Sequence, residues 1–252
     1  MRVKLRRLPL TPLLRCSRLA LYDRQPLMLL WLSGSFLMLF LSLPTTSFSA
    51  DLMDQYLSLP GSYVFVRREP EGATSSKVLL TIFEDFLCPA CYHTVTTIIP
   101  KIQEKYRERI EIRFLAYPLV HEESRLAARA HAIAQEMGLG EQMQKALFHA
   151  RFEEQLDTTS KGGLAKVAHS IDLDPDVLLS RLDKGDGNAE VDKNLALGES
   201  YRIDAVPGVI FDGWIMAKEL TQENLEQIID GLLERKTGAA KKGRKEGLPQ
   251  KR

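Results

Sequence analysis

Cysteine is scarce in this chain: three among 252 residues, with a single close-spaced pair, Cys88 and Cys91. Structural zinc usually asks for four ligands, often as two such pairs, and no second pair exists. His93, His121, His131, His149 and His169 are the remaining candidate ligands, and His93 follows Cys91 too closely to be a typical partner. Metal binding is therefore not expected. Charge of one sign is lacking too, at a formal net +1, but the balance conceals a division. The first 25 residues carry seven Lys/Arg against one acid, residues 236–252 repeat that ratio, and the body between them holds 20 basic and 31 acidic residues. An acidic body argues against nucleic-acid binding, which needs a basic surface to neutralise phosphates. At 44% hydrophobic residues the chain can still build a sizeable core.

Long apolar runs are absent except at residues 27–43, which follow the basic stretch Arg2, Lys4, Arg6, Arg7, Arg15, Arg18 and Arg24 and precede Pro44 and small polar residues. That order is the order of an export signal. Residues 1–50 are accordingly read as a signal peptide, with a small-x-small site at Ser47-Phe48-Ser49, or as a retained N-terminal membrane anchor. Either way the basic flank stays in the cytoplasm and the remainder crosses to the extracytoplasmic, periplasmic side. Cys16 precedes the run, so the exported part holds only Cys88 and Cys91. A pair two residues apart closes too small a loop to gain much by restricting the unfolded chain. Its purpose is expected to be chemical.

Residues 62–68 (SYVFVRR) alternate as an edge strand does, and residues 77–86 (KVLLTIFEDF) open on the continuous apolar run of a buried central strand. After Cys88-Pro89-Ala90-Cys91, residues 92–106 place Val95, Ile98, Ile99 and Ile102 at helical spacing, with a kink expected at Pro100. Residues 109–117 alternate again, completing a βαβ unit. Residues 121–202 are helical throughout: Leu126, Ala127, Ala130, Ile133, Ala134 and Met137 recur at helical intervals up to Gly138, and further helices are expected near 141–152, 163–170, 175–182 and up to 201. Strands return at 208–211 and 214–217 around the tight Asp212-Gly213 turn. Thr221 then caps a helix with Leu225, Ile228, Ile229 and Leu232 on one face. The expected fold is α/β: a sheet domain from 51–120 and 203–236, an inserted all-helical subdomain from 121–202, and a disordered basic tail from 237–252, read as solvated.

A Cys-x-x-Cys where a central strand enters a helix sets the first sulfur among unpaired backbone N–H groups that favour negative charge. Cys88 is expected to ionise readily, and the thiolate is the attacking species. Pro89 suits a first helical turn because it has no N–H to leave unpaired. Cys91, one turn on, is placed to attack a mixed disulfide on Cys88 and release the product. A second constellation, Ala205-Val206-Pro207-Gly208-Val209, sits where a strand resumes, and a cis bond before Pro207 would present the Val206 backbone to a neighbour.

Together these residues resemble the DsbA-like branch of the thioredoxin superfamily. The likeness runs from about 62 to 235 and rests on Phe86-Leu87-Cys88-Pro89-Ala90-Cys91, Tyr117-Pro118-Leu119 with His121 and the Ala-rich helix to Met137, Leu147-Phe148, and Val206-Pro207 before a strand ending at Asp212-Gly213. The resemblance implies a thioredoxin-like fold with a helical insertion, Cys88 as nucleophile, Cys91 as resolving cysteine and Pro207 as a cis-proline, with Val206, Pro89 and Ala90 meeting the substrate. Two departures stand out. Many thioredoxin-like proteins hold a buried acid six residues before the first cysteine, where this chain has Ile82; Glu84 and Asp85 lie nearer, and at least one of them is expected to be solvated. Ala90 stands where the best-known oxidases have a histidine that stabilises the thiolate. His121 matches a family position and is read as a packing residue at a helix start; the other histidines are placed on helical surfaces without a function.

The resulting expectation is an extracytoplasmic thiol-disulfide oxidoreductase acting on protein thiols, without a bound cofactor, recycled by a redox partner. Oxidase is the favoured direction because disulfides persist outside the cytoplasm. A reductase or isomerase is the alternative within the class, although residues 50–61 are too short for a dimerisation segment. A non-catalytic metal- or client-binding protein is the alternative outside it, but no Met, His or Cys cluster surrounds the pair.

Overall fold

A computed structural model describes residues 59–68, 70 and 75–246, the last eight of these as backbone only. The expected leader or anchor at 1–50, including Cys16, and residues 247–252 lie outside the described residues.

Among the described residues five strands form one mixed sheet: β1 (Tyr63–Phe65), β2 (Val78–Glu84), β3 (Ile110–Ala116), β4 (Gly208–Phe211) and β5 (Ile215–Ala217), in the order β1-β5-β4-β2-β3. Only β2 and β3 run parallel, with Ile82 opposite Phe114, while β4 pairs antiparallel to the other side of β2 with Val209 opposite Ile82. The unbroken apolar run thus falls on a central strand and the alternating runs on edges, as expected from which strands must bury both faces. Asp212 and Gly213 both have positive φ, at 47° and 73°, which sets the twist of the β4–β5 hairpin.

β2 leads into α1 (Pro89–His93), a π-helical turn at Thr94–Ile98, and α2 (Ile99–Tyr106). The kink expected at Pro100 takes this form. Proline cannot donate a backbone hydrogen bond, and the chain widens ahead of it, so that the Ile99 N–H reaches back to the Thr94 carbonyl. The helical insertion comprises α3 (Ser124–Glu136), α4 (Gly140–Phe152), α5 (Lys161–Ser170), α6 (Pro175–Asp183) and α7 (Asn188–Ser200). Gly138, at φ 78°, ends α3, and the Leu139 N–H returns to the Ala134 carbonyl at 2.8 Å. Ser160 and Asp174 cap α5 and α6 through their side chains.

The final helix, α8 (Gln222–Glu246), corrects the tail. The helix does not stop at Lys236, because the segment beyond it is rich in Ala, Lys, Arg and Glu, all good helix formers, and its basic residues sit at the end where the helix dipole favours positive charge. Lys236 itself is pinned: its ammonium lies 3.0 Å from the buried Asp212 carboxylate, whose other oxygen accepts the Leu79 N–H at 3.0 Å.

The sheet separates two cores. Leu80 and Ile82 of β2 pack with Ile98, Ile99 and Ile102 and with Leu225, Ile228 and Ile229 of α8. Phe83, on the opposite face, packs with Tyr117, Tyr201 and Ile203 beside α7. A third cluster fills the insertion, and both cysteines belong to it through Phe86, Ala116, Phe148 and the alanines of α3. The cysteines therefore sit where the insertion meets the ends of β2 and β3.

Candidate active site

The chain turns sharply after β2, and Asp85 organises that turn. One carboxylate oxygen accepts the Leu87 N–H at 2.8 Å; the other accepts those of Leu119 and Val120, each at 2.8 Å. The loop after β3 is thereby stapled to the turn that delivers Cys88, leaving Leu119 and Val120 exposed beside it.

Cys88 is the N-cap of α1, with extended backbone at φ −91°, ψ 116°. Its sulfur accepts the Cys91 N–H at 3.2 Å and lies 3.5 Å from the Val206 carbonyl oxygen. The Val206-Pro207 peptide is cis. Pro89 and Ala90 are exposed and Val206 and Pro207 half-buried, which makes a small apolar rim around Cys88, a residue only 5% exposed. The structure thus brings together Cys88, Pro89, Ala90, Cys91, Val206 and Pro207. His121 stays outside the cluster: it is exposed, its N–H donates to the Ser124 hydroxyl and its carbonyl accepts the Ser124 N–H at the start of α3.

The two thiols, both free, differ sharply in acidity. The hydrogen bond from the Cys91 side chain, helped by the N–H groups of Cys91 and Ala90, pulls the Cys88 thiol down to about 6 against burial and the nearby Asp85 charge. Cys91 is pushed up, first by giving its hydrogen bond to Cys88 and then by complete burial. The Asp85 N–H, 3.4 Å away, is its backbone anchor.

Sequence reasoning missed three polar residues nearby. Neither acid of β2's end is solvated: Asp85 is buried as the loop staple, and Glu84 is wholly buried with one oxygen held by Gln144 at 2.6 Å. Burial pushes Glu84 up to about 8, with the Gln144 bond pulling the other way. Alternation carried part of the signal, since Glu84 shares a β2 face with Ile82, and that face packs against Ile98, Ile99 and Ile102 and against α8. His131 is buried as well, against Phe86, because the alanines of α3 let that helix pack on more than one side. Burial pulls it down to about 4.

The DSBA-like thioredoxin domain profile matches residues 79–230, more than half of the chain. The chain belongs to this family. Its DsbA-like domain makes it a thiol-disulfide oxidoreductase. Disulfide bond formation protein D of Bacillus subtilis is 27% identical over 169 residues, which cover 63% of this chain and 74% of that protein. Among solved structures, DsbA of Xylella fastidiosa superposes with a TM-score of 0.60 at 16% identity, covering 70% of this chain and 96% of that one. Oxidised BdbD of B. subtilis gives 0.56 at 23%, covering 70% and 98%. At these identities the solved structures speak to the DsbA-like fold with its helical insertion, which agrees with the architecture expected from the sequence.

Proposed function

We propose that this DsbA-like chain oxidises protein dithiols outside the cytoplasm, with Cys88 as the nucleophilic and exchanging sulfur and Cys91 as the resolving one. The observation that carries the reading is the asymmetry of the pair: Cys88 accepts hydrogen bonds and ionises near 6, while Cys91 is buried and kept protonated. Stabilising one thiolate stabilises the reduced pair, and a disulfide whose reduced form is stabilised is an oxidant. Backbone donors and the Cys91 thiol take over what a histidine at position 90 would supply.

In the reaction a client thiolate attacks the Cys88 sulfur of the Cys88–Cys91 disulfide. The S–S bond breaks, and its electron pair leaves with Cys91, which takes a proton. A second client thiolate then attacks the client sulfur of the mixed disulfide and releases Cys88 as a thiolate. The client gains one disulfide, and a redox partner takes two electrons from the reduced pair, with loss of the Cys91 proton, to restore it. No bound cofactor enters these steps. The Val206 carbonyl beside Cys88, with Pro207 fixing its direction, is suited to hold an extended client backbone, and Pro89 and Ala90 form the exposed rim that the client meets. Export by residues 1–50, cleaved or retained as an anchor, supplies the oxidising compartment.

The test is Cys91→Ala. The Cys88 thiolate can still enter a mixed disulfide by attacking a client disulfide, but the internal return attack by Cys91 is lost, so reducible adducts with exported proteins accumulate, and the additional change Cys88→Ala abolishes them. A folded Cys91→Ala protein without adducts in the presence of clients would remove the mechanism.

A further inference from the structure

Lys236 fastens α8 to the body just ahead of β2: its ammonium lies 3.0 Å from the buried Asp212 carboxylate and 3.1 Å from the Ser75 carbonyl. The helix continues from there to Glu246, and this continuation carries Lys241, Lys242, Arg244 and Lys245 against the single acid Glu246. At about 100° per residue, Ala239, Ala240 and Gly243 share the side of the helix on which Lys236 meets Asp212. Lys241, Lys242 and Lys245 fall on the opposite side, with Arg244 at its edge. The helix dipole favours cations in the last turn on any side, so it does not account for this sorting. The N-terminal part of the domain meets α8 at the same end. Followed backward from β1, the chain descends along the helix: the Ser62 N–H donates to the Asn224 side chain, and a Cβ on Gly61 would lie 2.9 Å from both Asn224 Oδ1 and Ile228 Cγ1. One on Gly231 would lie 2.7 Å from Pro60 Cδ and 2.8 Å from Leu59 Cδ2. Leu59 is thus buried about one and a half turns before Lys236, and the apolar run 27–43 lies upstream of it in the chain. Cys88 follows the other end of β2, a strand of seven residues and so about 20 Å long.

We infer that the basic side of α8 beyond Lys236 rests on the anionic phosphate headgroups of the membrane that the export segment addresses, at the end of the domain where the chain enters from that segment, so that Cys88 points away from the bilayer. The inference goes beyond the exchange chemistry and depends on export alone. Charge complementarity selects the occupant. Between its two basic ends the chain holds 20 basic and 31 acidic residues, so an anionic surface repels the body while attracting this helix, which fixes orientation as well as contact. Each basic residue near such a surface strengthens partitioning by about fivefold. The apolar rim of Pro89, Ala90, Val206 and Pro207 is thereby left open to clients on the aqueous side.

The experiment follows flotation of the full-length chain with vesicles of phosphatidylcholine and with vesicles of phosphatidylcholine and phosphatidylglycerol in equal parts. Residues 1–50 are the same in every form, so their share cancels when variants are compared. Wild type is expected to prefer the anionic vesicles. The combined change Lys241→Gln, Lys242→Gln, Arg244→Gln and Lys245→Gln, which keeps good helix formers, is expected to lose about 10²-fold or more of that preference. Replacing the three lysines by arginine retains it, and salt near 1 M, where the screening length is about 3 Å, removes the difference between wild type and the glutamine variant. An anionic preference identical in these two would overturn the inference and leave the helix solvated. Salt-sensitive self-association of wild type that the glutamine variant lacks, with equal flotation, would overturn it in favour of the acidic body of a second copy. Orientation is read separately, in a chain whose Cys16, Cys88 and Cys91 are replaced by alanine. A fluorophore is attached through Gly238→Cys, on the basic side where an added Cβ meets nothing within 4 Å, or through Ala90→Cys on the rim. Headgroup nitroxide lipids are expected to quench the first label and spare the second; equal quenching would sink the orientation. Neither readout needs a reactive cysteine, so failure here and failure of the exchange reading are separate results.

Discussion

Glu84 and Asp85 adjoin in sequence and are both buried, yet they carry opposite costs. Asp85 spends its charge on three backbone N–H groups, whereas Glu84 meets one amide and stays protonated to about 8. For Glu84 the folded protein holds a proton that the unfolded chain releases from about 4.5 upward, so the folded state binds more protons in between and stability falls as pH rises through that window. The loss is at most about 5 kcal/mol above pH 8. Urea denaturation of Glu84→Gln against wild type is expected to show a stability gap that widens in favour of the variant from pH 5 to 8; a constant gap would contradict the burial argument. Asp85→Asn has the reverse character. An amide has one acceptor oxygen where three donors on two sides need two, so about 1–3 kcal/mol is expected to be lost, with faster hydrogen exchange at Leu119 and Val120 as the local readout. Neither role was legible in the sequence, because strand alternation gives a face but not what covers it, and the covering Gln144 lies 60 residues away.

At the scale of elements, periodicity served well wherever one face decides the burial. The central strand, the edge strands, the helix after Cys91 and the hairpin at Asp212-Gly213 all follow from patterns of two or 3.6 residues and turn chemistry. The exceptions have physical causes. Burial of His131 was illegible because alanines make a helix packable on several sides, and Met137, expected on the apolar face, is exposed where α3 runs out. Helix continuation past Lys236 was hidden by composition, since Ala-Lys segments read as polar while favouring helix. Close packing is also invisible to periodicity. Helix α7 approaches the end of β3 at Gly198, where an added Cβ would lie 2.2 Å from the Tyr117 ring, and that ring is held by its hydroxyl bond to the Ile203 carbonyl. Gly198→Ala, normally favourable in a helix, is therefore expected to cost about 1–3 kcal/mol. An unchanged urea midpoint would show that α7 can slide away from the sheet.

For the whole molecule, the cysteines lie at the joint between the helical insertion and the sheet, so their chemistry is tied to global stability by linkage. Cys88 has an ordinary thiol value of 9.0 when unfolded and about 6 when folded. Between these values the unfolded dithiol chain binds the extra proton, and stability of the reduced protein rises with pH; it is fully present above 9 and lost as pH falls through 6. Cys91, pushed upward, contributes only above 9, so the window belongs to Cys88. The disulfide form has no thiol to ionise and no such slope. Calorimetry of both redox forms should therefore give a melting temperature for the dithiol minus that for the disulfide which increases from pH 6 to 9. Carrying out the comparison in Glu84→Gln removes the opposite slope of that carboxyl from both forms. Because the free-energy cycle must close, every increment of this difference is also an increment in the oxidising power of the folded pair relative to the same pair in the unfolded chain. A difference independent of pH would mean that the folded structure does not favour the Cys88 thiolate, and the preference for the oxidase direction would lose its physical basis.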